Sequence, residues 1–280
     1  MIAPGLDALA ARAKEGDRDA LEGLVRGLQD PIYALALRFL SHRDDARDAT
    51  QEILILVITK LSTFRGESAV STWAYRIACR HLLREKAEAR RATFEELAEN
   101  LGQPPNEIAP ETLGAADARL LEEEVFLGCT QAMLRALDRD QRIAFVLGAI
   151  CELESPEAAA ALGISEVAFR KRLSRARATL DAFMSKQCGV ANPENPCRCA
   201  HQVNFRVQRR LLDPACLRFA ALDRTDRTSL EALRAMGEVK RVRRSLDLYH
   251  AQPAPKSPED IAARIRPMLE PGANLRIFSN

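Results

Sequence analysis

Apolar residues recur at helical spacing along most of the chain, and no stretch alternates apolar and polar positions as a half-buried strand would. A first amphipathic helix begins at Leu6 and is interrupted at Gly16. The pattern resumes over residues 21–28, and Pro31 is expected to start a separate segment over residues 32–40. The spacing therefore predicts an all-α fold.

The pattern between residues 137 and 180 predicts two helices, a tight turn and a third, cation-rich helix. Ser155 is expected to be an N-cap, and Pro156 suits the first helical position, where its missing N–H costs no hydrogen bond. Gly163 is expected to end the short Ala-rich helix, because glycine adopts the left-handed conformation without a Cβ clash. Ser165 then caps the next helix, which completes a helix-turn-helix.

The third helix of this motif has two unlike faces. An apolar stripe recurs from Phe169 to Leu180 at steps of four and three, and cations occupy the opposite face. Such a helix can lie in the major groove with its cations toward phosphates and base edges. A merely solvated surface helix is the alternative, but the glycine turn and the Ala-rich partner helix favour DNA binding. The residues predicted to face DNA are Ser165, Arg170, Lys171, Ser174 and Arg175.

Composition restricts where such a DNA surface can be. The chain has 280 residues, which predicts two or three small domains, and 47% of them are hydrophobic. The net charge is only +2, so any nucleic-acid surface must be a local patch. No apolar run is long enough to span a bilayer and no signal peptide is visible, which predicts a cytoplasmic protein without a membrane partner.

A helix is predicted from about residue 46 to residue 61, with acidic residues at its start. Acids at a helix N-terminus are favoured by the macrodipole. Asp48, Gln51 and Glu52 also share one face, which fits a contact surface for a partner. Spacing alone leaves both interpretations open.

A glycine-containing loop at residues 64–69 leads into a helix that holds Trp73, the only tryptophan in the chain. Aromatic residues interleaved with arginines suit single-stranded DNA, because bases stack on rings while phosphates meet cations. Trp73 also fits an ordinary core position beside Ile77, so both roles stay open for it. The residues of this segment predicted to contact DNA are Phe64, Arg65, Ser68, Trp73, Tyr75, Arg76 and Arg80.

The pattern DARDATQEILILVITKLSTFRGESAVSTWAYRIACRHLLRE closely resembles region 2 of the extracytoplasmic-function (ECF) group of bacterial sigma factors. The helix-turn-helix resembles region 4 of the same family, and the two segments follow in the family's order. The resemblance implies a protein that is not an enzyme, binds core RNA polymerase, and directs promoter recognition and opening.

The resemblance also implies a role for each predicted surface. Asp48, Gln51 and Glu52 match the helix that docks on the clamp helices of the polymerase β′ subunit. Residues 64–70 match the loop that captures a flipped base of the −10 element, and the arginine-rich helix after it melts and reads that element. The cationic helix of region 4 matches the reader of the −35 element. An anti-sigma factor is a further expected partner.

A free-standing metal- or redox-responsive helix-turn-helix regulator is the alternative function. Such a regulator would act without binding the polymerase core, and it would need neither the FRGES loop nor the acidic docking helix. The predicted domains are region 2 over residues 1–91, a linker over 92–122, region 4 over 123–187 and a Cys-rich helical extension over 188–280. The extension is expected either to stabilise the protein, to dock a partner or to regulate it.

The extension begins with a cluster of metal-ligating side chains. Cys188, Cys197, Cys199 and His201 could supply the four ligands that Zn²⁺ prefers, although Cys216 is an equally available ligand. Thiolates also suit Cu(I), and exposed thiols could form a redox pair, whereas inert cysteines are the plain alternative. The odd count of seven cysteines argues against a disulfide framework. The cysteines expected to be small core residues are Cys79, Cys129 and Cys151.

Overall fold

The structure is a computed structural model that describes residues 5–84, 93–101, 115–220, 245–252, 254–258 and 260–269. Every regular element in these ranges is helical, and the only β-type pairing is a single bridge between Cys188 and Cys197. The all-α prediction is therefore confirmed. None of the helices described is both long enough and apolar enough to cross a membrane.

The chain forms two compact units, the first built from residues 1–87, 143–173 and 254–280. Helix α2 is the centre of this unit and packs against α1, α3 and α4. Its apolar residues are buried in the contacts that it makes with these neighbours. The bounds are α1, Leu6–Lys14; α2, Arg18–Leu40; α3, Arg43–Lys60; and α4, Val70–Arg84.

Helix α2 runs without interruption through Pro31, so the prediction that Pro31 starts a separate segment is wrong. Leu24, Leu28 and Ile32 are all buried and continue one apolar stripe across the proline. An internal proline costs a helix about 3 kcal/mol, whereas each large apolar side chain contributes roughly 1.5–3 kcal/mol when it is buried. Several such side chains outweigh the proline, and the helix continues.

Two local features fix the start and the packing of α2. The Asp17 carboxylate accepts a hydrogen bond from the backbone N–H of Ala20 at 2.9 Å, which caps the helix. One turn before Pro31, Gly27 faces α1 so closely that a Cβ there would lie 2.5 Å from Leu6 Cδ2. The glycine therefore lets the two helices approach.

The predicted helix-turn-helix is present. Helix α7 (Arg139–Phe145) continues through a π-helical turn, and α8 (Ser155–Leu162) and α9 (Glu166–Gln187) follow. Gly163 ends α8 in the left-handed region at φ 68°, as predicted. Ser165 Oγ accepts a hydrogen bond from the Ala168 N–H at 3.2 Å, which confirms its predicted cap.

The N-terminus of α8 differs from the prediction by one residue. The cap position falls at Glu154, with ψ of 151°, and Ser155 is already helical. Gly148, in the π-helical turn, allows α9 to pack closely. A Cβ at this position would lie 2.8 Å from Phe169 Cζ and 2.9 Å from Leu173 Cδ2. These two side chains belong to the apolar stripe predicted for α9, and both are buried.

The second unit is built from residues 88–142 and 174–253, in which α10 (Cys199–Gln208) packs against α6 (Ala115–Ala136). The buried Glu124 carboxylate of α6 accepts hydrogen bonds from three successive backbone N–H groups of residues 218–220 at 2.7–2.8 Å. The Tyr249 hydroxyl donates to the Thr130 carbonyl at 2.8 Å. Among its described residues this unit also contains α5 (Phe94–Leu101), the C-terminal part of α9 and α11 (Ser245–His250).

The extension is only partly covered by the structure. Of its residues the structure describes 188–220, 245–252, 254–258 and 260–269, which include the helices α10, α11 and α12 (Ile261–Ile265). Much of the predicted linker, including residues 102–114, lies outside the described ranges. Each compact unit combines segments that are separated in the sequence. The domain boundaries predicted from the sequence therefore stay predictions.

Candidate nucleic-acid interface

Helix α9 presents the cationic face that the sequence predicts. The predicted apolar stripe is buried, while Arg170, Lys171, Ser174 and Arg175 are all exposed. Arg170 pairs with Glu166 one turn earlier, at 3.1 Å between Nη1 and Oε2. An exposed pair of this kind contributes little to stability, so the arginine can exchange its partner for a phosphate at low cost.

Val167 is a residue that the sequence reasoning missed. It lies in the first turn of α9, and 54% of its surface is exposed; among the large apolar side chains that the structure describes, Leu211 is the other exposed one. Recognition helices read bases with residues near their N-terminus, and apolar side chains there contact thymine methyl groups. The signal in the sequence is that the residues three and four positions after Val167 in α9 are the cations Arg170 and Lys171, so no apolar stripe continues from it.

The glycine loop before α4 forms an open cavity of about 490 Å³. Gly66 has a φ of 74°, in the left-handed region that favours glycine, and it lets the loop reverse over the cavity. Phe64 is buried and its ring lies 5.4 Å from the Trp73 ring, at an interplanar angle of 47°. Arg65 is exposed and Ser68 is half-buried on the cavity wall. The cavity has the size of a small-ligand site and a cation at its mouth.

The opposite wall of this cavity comes from α1, which the sequence reasoning did not connect with the loop. Asp7, Ala11 and Lys14 line it. The Asp7 carboxylate accepts a hydrogen bond from the Val70 N–H at 2.7 Å and so caps α4. The Lys14 ammonium donates to the Phe64 carbonyl at 2.7 Å. Helix α1 therefore holds both ends of the loop.

Helix α4 contacts α8 within the first unit, and this contact occupies part of the predicted −10 surface. The Arg76 Nε donates to the Ala160 carbonyl at 3.1 Å, and the Thr72 hydroxyl donates to Glu157 Oε1 at 3.4 Å. Tyr75 is only 6% exposed, and burial next to Cys151 raises its pKa well above the usual value. Tyr75 thus lies in the core here, whereas Arg80 is exposed.

An acidic stripe, made of Asp44, Asp48 and Glu52, runs along the exposed side of α3. All three side chains are about two-thirds exposed, and Gln51 beside them is half-buried. Asp48 pairs with Arg47 at 3.2 Å, and Glu52 lies 3.5 Å from His81 Nε2. A helix dipole acts only within the first turn, so it does not account for Glu52 in the third turn. The stripe therefore favours the contact-surface interpretation.

Three of the four predicted metal ligands share one cavity in the second unit. Cys188, Cys197 and Cys199 line it together with Cys129, whereas His201 is not on its wall. Cys129 was expected to be a plain core residue. Throughout the described ranges, no group of three or more His, Cys, Asp or Glu side chains is arranged to hold a metal ion as it stands.

The comparisons with known proteins agree with the two predicted regions. Residues 24–92 match the family described as Sigma-70 region 2, and residues 127–180 match Sigma-70, region 4. The sigma-H factor of Pseudomonas aeruginosa is 30% identical over 178 residues, which are 62% of this chain and 90% of the relative. The ECF sigma-E factor of Escherichia coli K12 is 32% identical over 184 residues, which are 62% of this chain and 91% of the relative.

The chain belongs to the ECF group of RNA polymerase sigma factors. As a sigma factor it binds core RNA polymerase and directs promoter recognition and opening. The region 2 match decides against a helix-turn-helix regulator that acts without the core. Among solved structures, CnrH in complex with the cytosolic domain of CnrY is 26% identical, with a TM-score of 0.47, and the match covers 64% of this sigma factor and 97% of CnrH.

Proposed function

We propose that this sigma factor opens promoters by receiving a flipped −10 base in the cavity between the loop 64–69 and α1. The cavity is the observation that carries the proposal, because it is open, large enough to admit a base and flanked by exposed Arg65. Taking a base out of the stack costs a few kcal/mol, which stacking and hydrogen bonds in a pocket must offset. Ser68 and Asp7 offer hydrogen-bonding groups on its wall, and Lys14 adds a second cation.

The other predicted surfaces complete this function. The acidic stripe with Gln51 docks on the β′ clamp helices, and α9 reads the −35 element with Arg170, Lys171, Ser174 and Arg175. Val167 adds an apolar contact to a thymine methyl at the start of the same helix. The protein works in the cytoplasm, where the polymerase is, and an anti-sigma partner rests on the family resemblance alone.

Reading of the −10 element by α4 requires α8 to leave it. The backbone carbonyl of Ala160 holds Arg76, and Thr72 is buried under α8, so neither side chain can reach a base in this arrangement. Freeing α4 costs these hydrogen bonds and the apolar burial around them. Promoter DNA and polymerase must supply that free energy, which links promoter binding to a change in packing.

Filling the cavity tests the proposal. Ala11→Phe places a ring in the cavity from α1 without altering the loop. Stacking of one base contributes about 1–3 kcal/mol, so we expect promoter opening to fall by about fivefold or more. The measurement is the fluorescence of 2-aminopurine placed in the −10 element, with core polymerase present.

Ala8→Phe is the matched control, because Ala8 is exposed on the same helix and does not line the cavity. It should leave opening unchanged. Equal opening with Ala11→Phe and with the control would show that no base enters this cavity.

We also propose that the C-terminal segment regulates the sigma factor by covering part of region 2. The Asp260 carboxylate pairs with Arg26 of α2 at 2.7 Å, and the Gln29 side-chain carbonyl accepts from the Ala262 N–H at 3.0 Å. Ile261 and Ile265 are fully buried, and α12 contacts α3 as well as α2. The segment thus packs on the helix that carries the acidic stripe.

Detaching α12 tests this regulation. Ile261→Asp puts a charge into a fully buried apolar position, which is costly unless the helix leaves. We expect core polymerase to bind the variant several-fold more tightly, measured by fluorescence anisotropy of labelled protein. Ala263→Asp is the control, since Ala263 is exposed on the same helix. No difference between the variants in affinity for core polymerase would contradict the regulatory role.

A further inference from the structure

Helix α10 ends in a turn that places an arginine where glycine is usual. The Leu211 N–H donates to the Arg206 carbonyl at 2.8 Å, and the Arg210 N–H donates to the Val207 carbonyl at 3.0 Å. These are the two hydrogen bonds of a Schellman motif, whose left-handed position is usually glycine. Here Arg210 occupies that position, with a φ of 58°. The conformation is unfavourable for a residue with a Cβ, so local geometry does not account for arginine here.

The residue after Arg210 is also unusual. In a Schellman motif, an apolar side chain at the next position commonly packs against the last turn of the helix. Leu211 holds this position, yet 56% of its surface is exposed, whereas Leu212 is buried. The exposed leucine therefore contributes no packing within the chain and is available to a partner.

Three exposed arginines, Arg209, Arg210 and Arg218, form an arginine patch around this leucine in the sequence. In the part of the chain that the structure describes, none of the three makes an ion pair with a carboxylate. Arg209 instead lies over the Phe205 ring, 4.6 Å from its centroid. Residues 198–220 contain five arginines and one acid, Asp213, so the positive charge here is not balanced locally.

The backbone that carries the patch is tied to α6. The backbone N–H groups of residues 218–220 all donate to the buried Glu124 carboxylate. A Cβ at Gly128 of α6 would lie 3.2 Å from Arg206 Nη1 and 3.6 Å from Phe219 Cε2. The end of α10 and the segment that holds Arg218 thus meet on the same side of α6.

The macrodipole of α10 explains only part of this charge. Cations in the last turn of a helix are favoured, which accounts for Arg209. It does not account for an arginine in the left-handed region or for Arg218, which lies outside the helix. Promoter DNA is the densely charged partner of a sigma factor, and unpaired arginines are suited to neutralise its phosphates. Only residues 188–198 separate α10 from α9, the helix predicted to read the −35 element.

We propose that the arginine patch binds the phosphate backbone of promoter duplex DNA near the −35 element, with Leu211 in apolar contact with the same duplex. Phosphate contacts fix the orientation of a protein on DNA and add affinity without reading sequence. The extension is then a second DNA-binding surface after α9. This proposal does not depend on the flipped-base cavity or on the acidic stripe, because it shares no residue with either.

Arg210→Gly tests the proposal, because it should change stability and DNA binding in opposite directions. Glycine suits the left-handed position, so the midpoint of thermal unfolding of the full chain should rise by about 1–4 °C. The affinity for a labelled duplex that carries the −35 element should fall by about fivefold at 0.1 M salt, and the logarithmic salt slope should fall by about 0.9. The loss should be equal on a duplex of scrambled sequence, because phosphate contacts carry no sequence information.

Three further variants make the test specific. Arg218→Ala should cause a similar loss of DNA affinity from outside the helix, which keeps the proposal testable if Arg210→Gly folds poorly. Arg210→Lys keeps the charge and should bind within about threefold of the unchanged chain. Arg18→Ala is the matched control, because it removes an exposed arginine at the start of α2 that belongs to no predicted surface. It should bind DNA as the unchanged chain does.

Three results would overturn the proposal. The first is unchanged DNA affinity in both Arg210→Gly and Arg218→Ala. The second is an equal loss in Arg18→Ala, which would mean that net charge alone decides DNA binding. The third is weaker binding of core polymerase by the patch variants with unchanged DNA affinity, which would assign the patch to an acidic protein surface instead.

Discussion

Replacing Asp48 and Glu52 by lysine is expected to abolish transcription that depends on this sigma factor. Both carboxylates are exposed on one face of α3, and each substitution reverses one charge. Truncating one partner of a close interfacial charge pair costs about 2–5 kcal/mol, and like charges placed together cost more. Two reversals should weaken the affinity for core polymerase by more than about a hundredfold. The measurement is co-elution with core polymerase, followed by run-off transcription.

A matched double reversal keeps this prediction specific. Glu15→Lys with Glu194→Lys makes the same change in net charge at two exposed acids outside α3. That variant should bind the core normally. If both double variants lose core binding to the same extent, net charge decides the result and the acidic stripe has no special role.

Replacing Lys171 and Arg175 by alanine is the second change with a large expected effect. The two side chains lie one turn apart on the exposed face of α9. Each specific contact to a base edge contributes about 1–3 kcal/mol, so loss of two should lower the affinity for −35 duplex DNA by about thirtyfold or more. Each lost phosphate contact should also lower the salt dependence of binding by about 0.9 in its logarithmic slope. Both quantities follow from a salt titration of labelled duplex.

The matched control removes two exposed lysines that lie away from the start of α9. Lys186→Ala is at the C-terminal end of the same helix, and Lys256→Ala is in the C-terminal segment. The pair should change the affinity for −35 DNA less than threefold. A control variant that binds as poorly as the test variant would mean that the chain binds DNA through diffuse charge alone.

The two predicted DNA-reading surfaces, on α9 and on α4, differ in how many of their side chains are exposed. On α9 the side chains of Arg170, Lys171 and Arg175 are exposed, and the ion pair of Arg170 with Glu166 is exposed as well. Helix α4 instead has Arg76 bound to a backbone carbonyl and Tyr75 in the core. We therefore expect duplex recognition at the −35 element to begin without rearrangement, and reading of the −10 element to follow a change in packing.

The sequence by itself determined every feature that depends on neighbours a few residues apart. Glycine at position 163 and serine at position 165 set the ends of two helices, and the apolar stripe of α9 set its buried face. Each of these signals is local, because a cap or a helical period acts over one or two turns. The same locality explains why the all-α fold and the two sigma regions were recognisable without coordinates.

The tertiary structure decided what depends on residues distant in the chain. Burial of the α2 stripe overrides Pro31, and Tyr75 lies in the core because α8 and the turn before it pack against α4. Lys14, which lines the loop cavity, lies 50 residues before Phe64, the loop residue whose carbonyl it binds. Cys129 joins the other thiols only because α10 packs on α6. Long-range packing brings such groups together, and the spacing of residues along the chain does not predict that packing.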